Sequence, residues 1–345
     1  MTLVPQSQRQ GFLAMRRTFW GYTMNAIVSP AFISSRNHPH VIEHGDGAAE
    51  FAVSPQFTCH YDRDNAVLWS RWAPRGVPCF NIDLLRDLER GSQSIESYFS
   101  AAPADRPLRH IVLRSAIGNV FNVGGDLGHF QRLIAAQDRA GLLEYARIAI
   151  NVVYRNYTAH NLRGVTTVAL LEGDALGGGF ESALSCDVIV AEKHVKAGFP
   201  EVLFNMFPGM GGMSFLARRA GKRVADELVR TGRLYSALEL HEFGLVDQVV
   251  DTGAGLGTVQ KMMRQREHQQ SAHMAMNAVD RMIRPVGLQE LHDVVKIWVD
   301  CAMQLEPRSL EWMQRLYQRQ LTIFGAGPRL SVVETHMSER TAAAA

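Results

Sequence analysis

The residues best suited to chemistry lie in a glycine-rich segment, residues 165–187, which reads VTTVALLEGDALGGGFESALSCD. An apolar strand is predicted to end near Glu172, and a helix to begin with Glu181 in its first turn. Glycine lets the backbone approach a ligand closely, and the free N–H groups at a helix start favour negative charge. The segment is therefore a candidate oxyanion site with Glu181 within reach, although a glycine turn selected only for packing has the same composition.

A second segment of the same kind, residues 119–130, reads NVFNVGGDLGHF. It follows a predicted strand and precedes a predicted helix, so Gly124 and Gly125 can leave backbone N–H groups unpaired. One N–H from each glycine segment would hold a carbonyl oxygen from two sides. Such a pair of donors is the usual means of stabilising an enolate or a tetrahedral oxyanion.

A third segment, residues 198–212, reads GFPEVLFNMFPGMGG and carries a second acid, Glu201, directly after Pro200. Its neighbours are apolar, and desolvation raises the pKa of a carboxyl group toward neutrality, where it can transfer protons. An ordinary surface acid on a loop remains the alternative. Together the segments predict two carboxylates, Glu181 and Glu201, beside one oxyanion site.

The elements that must position these segments alternate between strand and helix. Residues 57–62 and 66–72 are predicted to form a hairpin, and helical spacing follows over residues 82–99. Short β-rich runs then alternate with helices, a pattern that predicts a parallel sheet with crossover helices. The later β-rich runs are residues 110–113, 165–171, 187–192 and 249–250, and the helices are one long helix within residues 130–161 and one over residues 213–220.

The chain beyond residue 258 is predicted to be entirely helical. The helices span residues 258–282, 287–303 and 309–322, with breaks near Pro285 and Pro307, because proline interrupts a helix. We therefore expect one α/β core with a helical C-terminal subdomain. The expected boundaries are 1–48 for a loosely ordered N-terminal extension, 49–257 for the core, 258–324 for the helical subdomain and 325–345 for a mobile tail.

Composition excludes several classes of protein. The formal charge is +2, from 36 basic and 34 acidic residues, which argues against a nucleic-acid binder. The four cysteines are far apart and form no CxxC pair, which indicates a reduced, cytoplasmic setting. No run approaches the roughly 20 apolar residues that a membrane span needs, so a soluble protein is expected.

Metal and cofactor sites are not expected. Residues 253–257 carry three glycines but lack the GxGxxG spacing of a dinucleotide site. His38, His40 and His44 lie in the predicted extension without a structural frame for a metal.

In order and spacing, the three glycine-rich segments resemble the enoyl-CoA hydratase/isomerase (crotonase) superfamily. TGRLYSALELHEFGLVDQVV, residues 231–250, also resembles the helix and turn that follow the active site in that superfamily. The resemblance covers about residues 55–260. It implies the crotonase fold, an α/β fold of repeated ββα units with a parallel-rich sheet core.

A narrower resemblance is to the bacterial diffusible signal factor (DSF) synthases. It rests on three longer motifs: PRGVPCFNIDLL at residues 74–85, FNVGGDLGHF at 121–130 and PEVLFNMFPGMG at 200–211. The first-loop helix opens LGHF, without the lysine common there in CoA hydratases, which suits a carrier-protein thioester better than CoA.

The resemblance implies roles at matching positions. Glu181 and Glu201 match the two catalytic glutamates, and the oxyanion hole would come from the backbone N–H groups of Gly125 and Gly178. Retention of both glutamates favours hydration or dehydration. The implied activity is that of a dehydratase and thioesterase, which acts on 3-hydroxyacyl-acyl-carrier-protein and releases a cis-2-unsaturated fatty acid as a quorum-sensing signal.

Two alternatives stay open: an enoyl-CoA hydratase of fatty acid metabolism, and a catalytically idle crotonase-fold partner of a sensor kinase. The implied partners are an acyl carrier protein bearing the substrate, or acyl-CoA in its place, and a DSF-sensing histidine kinase. Further copies of the chain are also expected, because crotonases commonly form trimers or dimers of trimers.

Apolar and aromatic side chains are candidates for an acyl pocket, although core packing would use the same residue types. They are Leu176, Met210, Trp298, Trp312 and Leu316. His129 lies beside the first glycine segment and either faces the site or caps a helix.

Cationic side chains are candidates for docking an acidic carrier protein, with an ordinary solvated helix end as the alternative. They are the cluster Arg218, Arg219, Lys222 and Arg223, followed by Arg132 and Arg139.

Overall fold

A computed structural model describes residues 41–43, 49–101, 104 and 106–324 of the chain. Most of the predicted extension, including His38, His40 and His44, and the predicted tail 325–345 lie outside the described residues. Residues 41–43, which we assigned to the extension, form a strand.

The described residues form twelve strands and ten α-helices. The strands are β1 Val41–Glu43, β2 Ala49–Ser54, β3 Phe57–Asp62, β4 Val67–Trp72, β5 His110–Ser115, β6 Asn119–Asn122, β7 Thr166–Leu171, β8 Gly173–Leu176, β9 Val188–Glu192, β10 Lys196–Gly198, β11 Leu234–Ser236 and β12 Gln248–Val250. The helices are α1 Ile82–Ala101, α2 Leu127–Ala135, α3 Arg139–Tyr157, α4 Gly178–Leu184, α5 Gly212–Thr231, α6 Ala237–Glu242, α7 Gly255–Arg266, α8 Gln270–Ile283, α9 Leu288–Met303 and α10 Pro307–Phe324. Short 3-10 turns lie at Ala159–Asn161, Pro200–Phe204 and Glu267–Gln269.

The larger sheet confirms the predicted hairpin and the predicted parallel core. Its strand order is β1-β2-β3-β4-β5-β7-β9-β12, antiparallel up to β4 and parallel from β4 onward. Every residue of β7 is buried, because a main core cluster covers one face of the parallel strands and α7 covers the other. A strand covered on both faces reads as a continuous apolar run instead of an alternating one.

The second sheet was not predicted. It has the order β11-β10-β8-β6, in which β6, β8 and β10 are parallel. Its strands have only three or four residues, too short for a periodic pattern, and the glycine segments that we interpreted as loops contain β6 and β8. Since β6 and β8 are parallel, the glycines that follow them lie at one edge of this sheet.

Two helices predicted as single elements are divided. The long helix within residues 130–161 is α2 and α3, because Asp126 and Asp138 each cap a new helix by accepting a backbone N–H three residues ahead. The helix predicted over residues 258–282 is α7 and α8, joined by the turn Glu267–Gln269. The helix predicted over residues 213–220 ends at a kink in α5, where Gly221 has the non-helical angles φ 82° and ψ 164°, and a second helical stretch follows to Thr231.

The predicted C-terminal helices are confirmed, and α9 and α10 pack against the helices that follow the first glycine segment. Trp298 of α9 contacts Phe130 of α2 edge to face, with ring centroids 5.2 Å apart. Gln131 of α2 donates through its side-chain amide to the carbonyl of Leu310 at 3.2 Å. Among the described residues, no helix is long and apolar enough to cross a membrane.

Trp72 joins the two sheets. Its ring is 1% exposed and packs edge-on against Phe80 and Phe121. Its indole N–H donates to the Phe121 carbonyl of β6 at 2.8 Å. The last residue of β4 in the larger sheet therefore holds the strand that leads to the first glycine segment.

We expect Trp72→Phe to lower the free energy of unfolding by about 2–4 kcal/mol, because it removes both buried volume and a buried hydrogen-bond donor. Urea denaturation measures the change. The control is Trp312→Phe, whose ring is 46% exposed and whose replacement should stay within about 0.5 kcal/mol. Equal effects at the two positions would contradict the linking role of Trp72.

Candidate active site

One cavity of about 460 Å³ gathers the predicted site residues. It lies where the small sheet meets helices α2, α3, α4, α9 and α10. The predicted residues on its wall are Gly125, Leu176, Gly178, Glu181, Glu201, Met210, Trp298 and Leu316.

The first glycine loop, residues 122–126, is held from both sides. The N–H of Gly124 donates to the Asn122 side chain at 2.7 Å, and its carbonyl accepts from the Phe80 N–H at 2.8 Å. Gly124 has φ +96°, and a Cβ at this position would lie 2.9 Å from the carbonyl oxygen of Leu176. Only glycine fits this backbone conformation and this close approach.

The second glycine loop, residues 176–179, touches the first through backbone atoms. A Cβ on Gly179 would lie 2.1 Å from the carbonyl oxygen of Asn122. Gly178 opens α4, so its N–H has no partner within the helix. The N–H groups of Gly125 and Gly178 donate to no atom of the described residues, and both glycines line the cavity.

Glu181 is fixed by the backbone of the third segment. Its Oε1 accepts the N–H groups of Met210 and Gly212, each at 2.7 Å. The residue is 1% exposed, and burial raises the pKa of its carboxyl group to about 7, against the opposing effect of the two N–H donors. Those donors hold Oε1, so proton exchange with a ligand falls to Oε2.

Glu201 lies on the turn Pro200–Phe204, with its carboxyl group enclosed beside Gly177. A Cβ on Gly177 would lie 2.3 Å from its Oε1, and its buried Oε2 has no hydrogen-bond partner among the described residues. Burial and then the negative charge of Glu181 raise the pKa of Glu201 well above the ordinary value. The two carboxyl groups interact strongly, so the pair titrates as one unit.

The apolar wall extends beyond the residues chosen from sequence. Phe130 contacts both Trp298 and Tyr145 edge to face, at 5.2 and 4.9 Å. Ala146 and Ala149 of α3 line the cavity although both are buried, so the cavity reaches into the core at these small side chains.

Tyr145 was also missed, and it supports the first glycine loop. Its hydroxyl donates to the Phe80 carbonyl at 2.5 Å and accepts the Asp126 N–H at 3.3 Å. Within α3, Tyr145, Ala146 and Ala149 share one face. The signal available in the sequence was the pair of small side chains, Ala146 and Ala149, on the buried face of a long helix.

Two candidates lie away from the cavity wall. His129 does not line it; its Nδ1 lies 3.3 Å from the Arg132 guanidinium, and its ring lies beside Tyr145. Trp312 is on the outer side of α10, with Arg315 over its ring at 5.3 Å.

Most of the proposed docking cations are bound within the chain. Arg218 pairs with Glu290 at 2.7 Å, and Arg219 donates to the Leu245 carbonyl at 3.2 Å. Lys222 pairs with Asp226. Arg139, a further candidate, pairs with Asp300 at 2.6 Å.

Neither alternative ligand site gains support. The start of α7, in the glycine-rich segment 253–257, is occupied by the chain itself, because the Gly255 N–H donates to Glu192 at 3.1 Å. Within the described part of the chain, no group of three His, Cys, Asp or Glu residues could hold a metal ion.

The sequence of the chain is similar to the sequences of known proteins. A family model described as enoyl-CoA hydratase/isomerase matches residues 92–317. An enoyl-CoA isomerase/hydratase of Mycosarcoma maydis is 31% identical over 211 residues, which cover 61% of this chain and 73% of that protein. A probable mitochondrial enoyl-CoA hydratase 2 of Arabidopsis thaliana is 29% identical over 193 residues; the match covers 55% of this chain and spans 62% of the relative's length.

Solved structures share the fold. Human mitochondrial delta3-delta2-enoyl-CoA isomerase aligns with a TM-score of 0.62 at 19% identity, over 78% of this chain and 98% of that one. Pseudomonas aeruginosa DspI aligns with a TM-score of 0.53 at 20% identity, over 79% of this chain and 97% of that one. The predicted crotonase fold is confirmed.

The family match covers more than half of the chain and includes both glycine loops and both glutamates. The chain belongs to the enoyl-CoA hydratase/isomerase family.

Proposed function

We propose that the protein dehydrates a 3-hydroxyacyl thioester and then hydrolyses the product to a free 2-unsaturated fatty acid. One observation carries the proposal: two buried carboxyl groups, both with raised pKa values, share an apolar cavity with two unbound backbone N–H groups. The resemblance to DSF synthases supports the finer assignment, a carrier-linked substrate and a cis-2-unsaturated acid that serves as a signal.

The oxyanion hole is the first element of the mechanism. With the thioester oxygen between the N–H groups of Gly125 and Gly178, negative charge that develops on this oxygen is stabilised as the proton on C2 leaves. Removing one such donor typically costs about 3 kcal/mol of transition-state stabilisation. Both donors are backbone groups held by packed loops, so they need no rearrangement when the charge forms.

The two glutamates divide the proton transfers. In dehydration, Glu201 removes the proton from C2, and Glu181 gives a proton to the hydroxyl on C3, which leaves as water while the C2–C3 double bond forms. Hydration uses the opposite roles: Glu181 takes a proton from water, and Glu201 protonates C2.

Thioester hydrolysis would drive the overall reaction toward the unsaturated product. Water adds to the thioester carbon, the same two N–H groups stabilise the tetrahedral oxyanion, and the carbon–sulfur bond breaks as the thiol leaves with a proton. Once the free acid has formed, rehydration of an enoyl thioester is no longer available. The second step therefore pulls the first one forward.

An enoyl-CoA hydratase is the alternative that the names of the relatives favour. It would use the same glutamates and leave the thioester intact. A catalytically idle partner of a sensor kinase is disfavoured by the enclosed carboxyl pair. Binding to such a kinase, and assembly with further copies of the chain, are proposals compatible with catalysis.

Products identified by mass spectrometry test the proposed function. A 3-hydroxydodecanoyl thioester on a carrier protein should yield free 2-dodecenoic acid. Glu181→Gln and Glu201→Gln should each slow its formation by about 100- to 10,000-fold, because each removes one proton-transfer group. Unchanged circular dichroism is the control for folding. Reversible hydration with an intact thioester would establish the hydratase instead, and near-normal turnover by either variant would contradict the two-carboxylate mechanism.

Stability should depend on pH through the same pair. The raised pKa of Glu181, about 7, means that the folded chain keeps a proton that the unfolded chain releases near the ordinary glutamate pKa of 4.5. The free energy of unfolding therefore falls as pH rises through this window. Glu181→Gln keeps an acceptor for both N–H groups but carries no charge. At pH 8 the free energy of unfolding of this variant, measured by urea denaturation, should exceed that of the wild type by about 1–3 kcal/mol. The difference should vanish near pH 4.5. A less stable variant at pH 8 would contradict the burial penalty.

Ala146 and Ala149, which line the buried part of the cavity, should limit the length of the acyl chain. Ala149→Phe is expected to fill the buried part of the cavity and to lower kcat/KM for a 3-hydroxydodecanoyl thioester by about 100-fold, since one misfitting methylene already changes kcat/KM by about 10- to 200-fold. For a 3-hydroxybutyryl thioester, the same substitution should change kcat/KM by less than about threefold. Ala140→Phe, at an exposed position of the same helix, is the matched control. An equal loss at both chain lengths would remove Ala149 from the acyl path.

A further inference from the structure

Helix α10 carries a row of cations that the candidate site does not use. Arg308, Trp312, Arg315 and Arg319 follow one another at spacings of four, three and four residues, so they share one face of the helix. All four are exposed, and the Arg315 guanidinium lies over the Trp312 ring at 5.3 Å. We call these four residues the arginine stripe.

The arginine stripe leads to the mouth of the cavity. Arg319 lines the cavity, and so does Ile323, which is 60% exposed. Glu181 and Ala149, on the same wall, are each 1% exposed. The end of α10 therefore lies where the cavity meets solvent, and the stripe extends from there to Arg308, about 16 Å away along the helix.

The opposite face of α10 is anchored, so the arginine stripe has a fixed position. Met313 is buried, and the ring of Tyr317 packs so closely on α2 that a Cβ at Gly128 would lie 2.6 Å from it. The Leu310 carbonyl accepts the Gln131 side chain at 3.2 Å. Charges on the outer face are thus presented at a constant distance from the mouth.

The cations of the arginine stripe are not held in ion pairs by acids of the described chain. Arg308, Arg315 and Arg319 form no ion pair with a described residue, and the nearest acid along the helix, Glu311, pairs with none of them. In contrast, Arg218, Lys222 and Arg139, which were candidates from sequence, are paired with acids.

We propose that the arginine stripe docks an acidic acyl carrier protein, whose flexible prosthetic arm enters the cavity past Arg319. The proposal rests on the proposed function, because it names the partner that delivers the thioester. A row of three cations over about 16 Å matches a row of acids on a protein surface, whereas a single phosphate would need only the end of the row at the mouth. The acyl chain then follows the arm into the apolar part of the cavity.

The test compares two charge-reversal variants. Arg308→Glu combined with Arg315→Glu reverses the two cations of the arginine stripe that do not line the cavity. Arg223→Glu, exposed on α5 and outside the cavity wall, is the matched control. For each protein, kcat/KM is measured with one 3-hydroxyacyl group carried by a type II acyl carrier protein, by CoA or by pantetheine.

The double variant should lower the ratio of kcat/KM on the carrier to kcat/KM on pantetheine by about tenfold at low salt, because rim charges act mainly on the rate of association. The loss should shrink as salt rises, since exposed charges are screened over about 10 Å at 0.1 M. Arg223→Glu should leave this ratio unchanged. Calorimetric titration uses the carrier protein with its arm but without an acyl group. It should show weaker binding to the double variant than to the wild type or to Arg223→Glu, independently of turnover.

The outcomes separate the two proposals. Unchanged affinity for the acyl-free carrier and an unchanged ratio in the double variant would overturn the docking surface. An equal loss on CoA and on the carrier would also overturn it, in favour of a contact with phosphate groups, which CoA and the carrier's arm have in common. A wild-type protein that turns over none of the three thioesters would contradict the proposed function, while the affinity for the acyl-free carrier still decides whether the arginine stripe binds it.

Discussion

The site depends on one close contact, the approach of two glycine loops through backbone atoms alone. Gly179 lies against the Asn122 carbonyl, and Gly124 against that of Leu176, at distances that leave no room for a Cβ. The contact brings two unbound N–H groups, on Gly125 and Gly178, to one cavity. Pairing of β6 with β8 sets the register of this contact, and Trp72 holds β6 to the larger sheet.

The carboxyl pair is placed by the same frame. Glu181 lies one turn into α4, directly after the second glycine loop, and Glu201 lies against Gly177 of that loop. Their surroundings differ in one respect: backbone donors hold one oxygen of Glu181, whereas Oε2 of Glu201 has no donor among the described residues. Burial raises both pKa values, and this difference in hydrogen bonding, together with the mutual repulsion of the two charges, separates them. Two chemically identical side chains therefore lie in different environments, as the proposed division into acid and base requires.

The sequence predicted the parts of the molecule that have local signals. The long strands and helices, the glycine loops and both glutamates have periodicity or composition that can be recognised without a structure. The small sheet has neither, because β6, β8, β10 and β11 are stabilised by pairing between distant segments. Ala146 and Ala149 were not predicted as cavity residues for a related reason. In a sequence, a small buried side chain is equally compatible with close packing and with an open cavity. Which cations already form ion pairs was also hidden from the sequence: Arg218, Lys222 and Arg139 pair with acids that lie far along the chain or on the same helix.

The contact between Gln131 and Leu310 joins residues 179 positions apart. It implies an order of events during synthesis, since the ribosome releases the glutamates long before α9 and α10. Until these helices dock, the part of the cavity wall that Trp298 and Leu316 provide is missing, and that side of the cavity is open to water. The raised pKa values of the two carboxyl groups depend on exclusion of that water, so the low-dielectric cavity is completed only after α9 and α10 have been synthesised. Incomplete chains would hold every proposed reacting group and still lack the environment that makes those groups reactive.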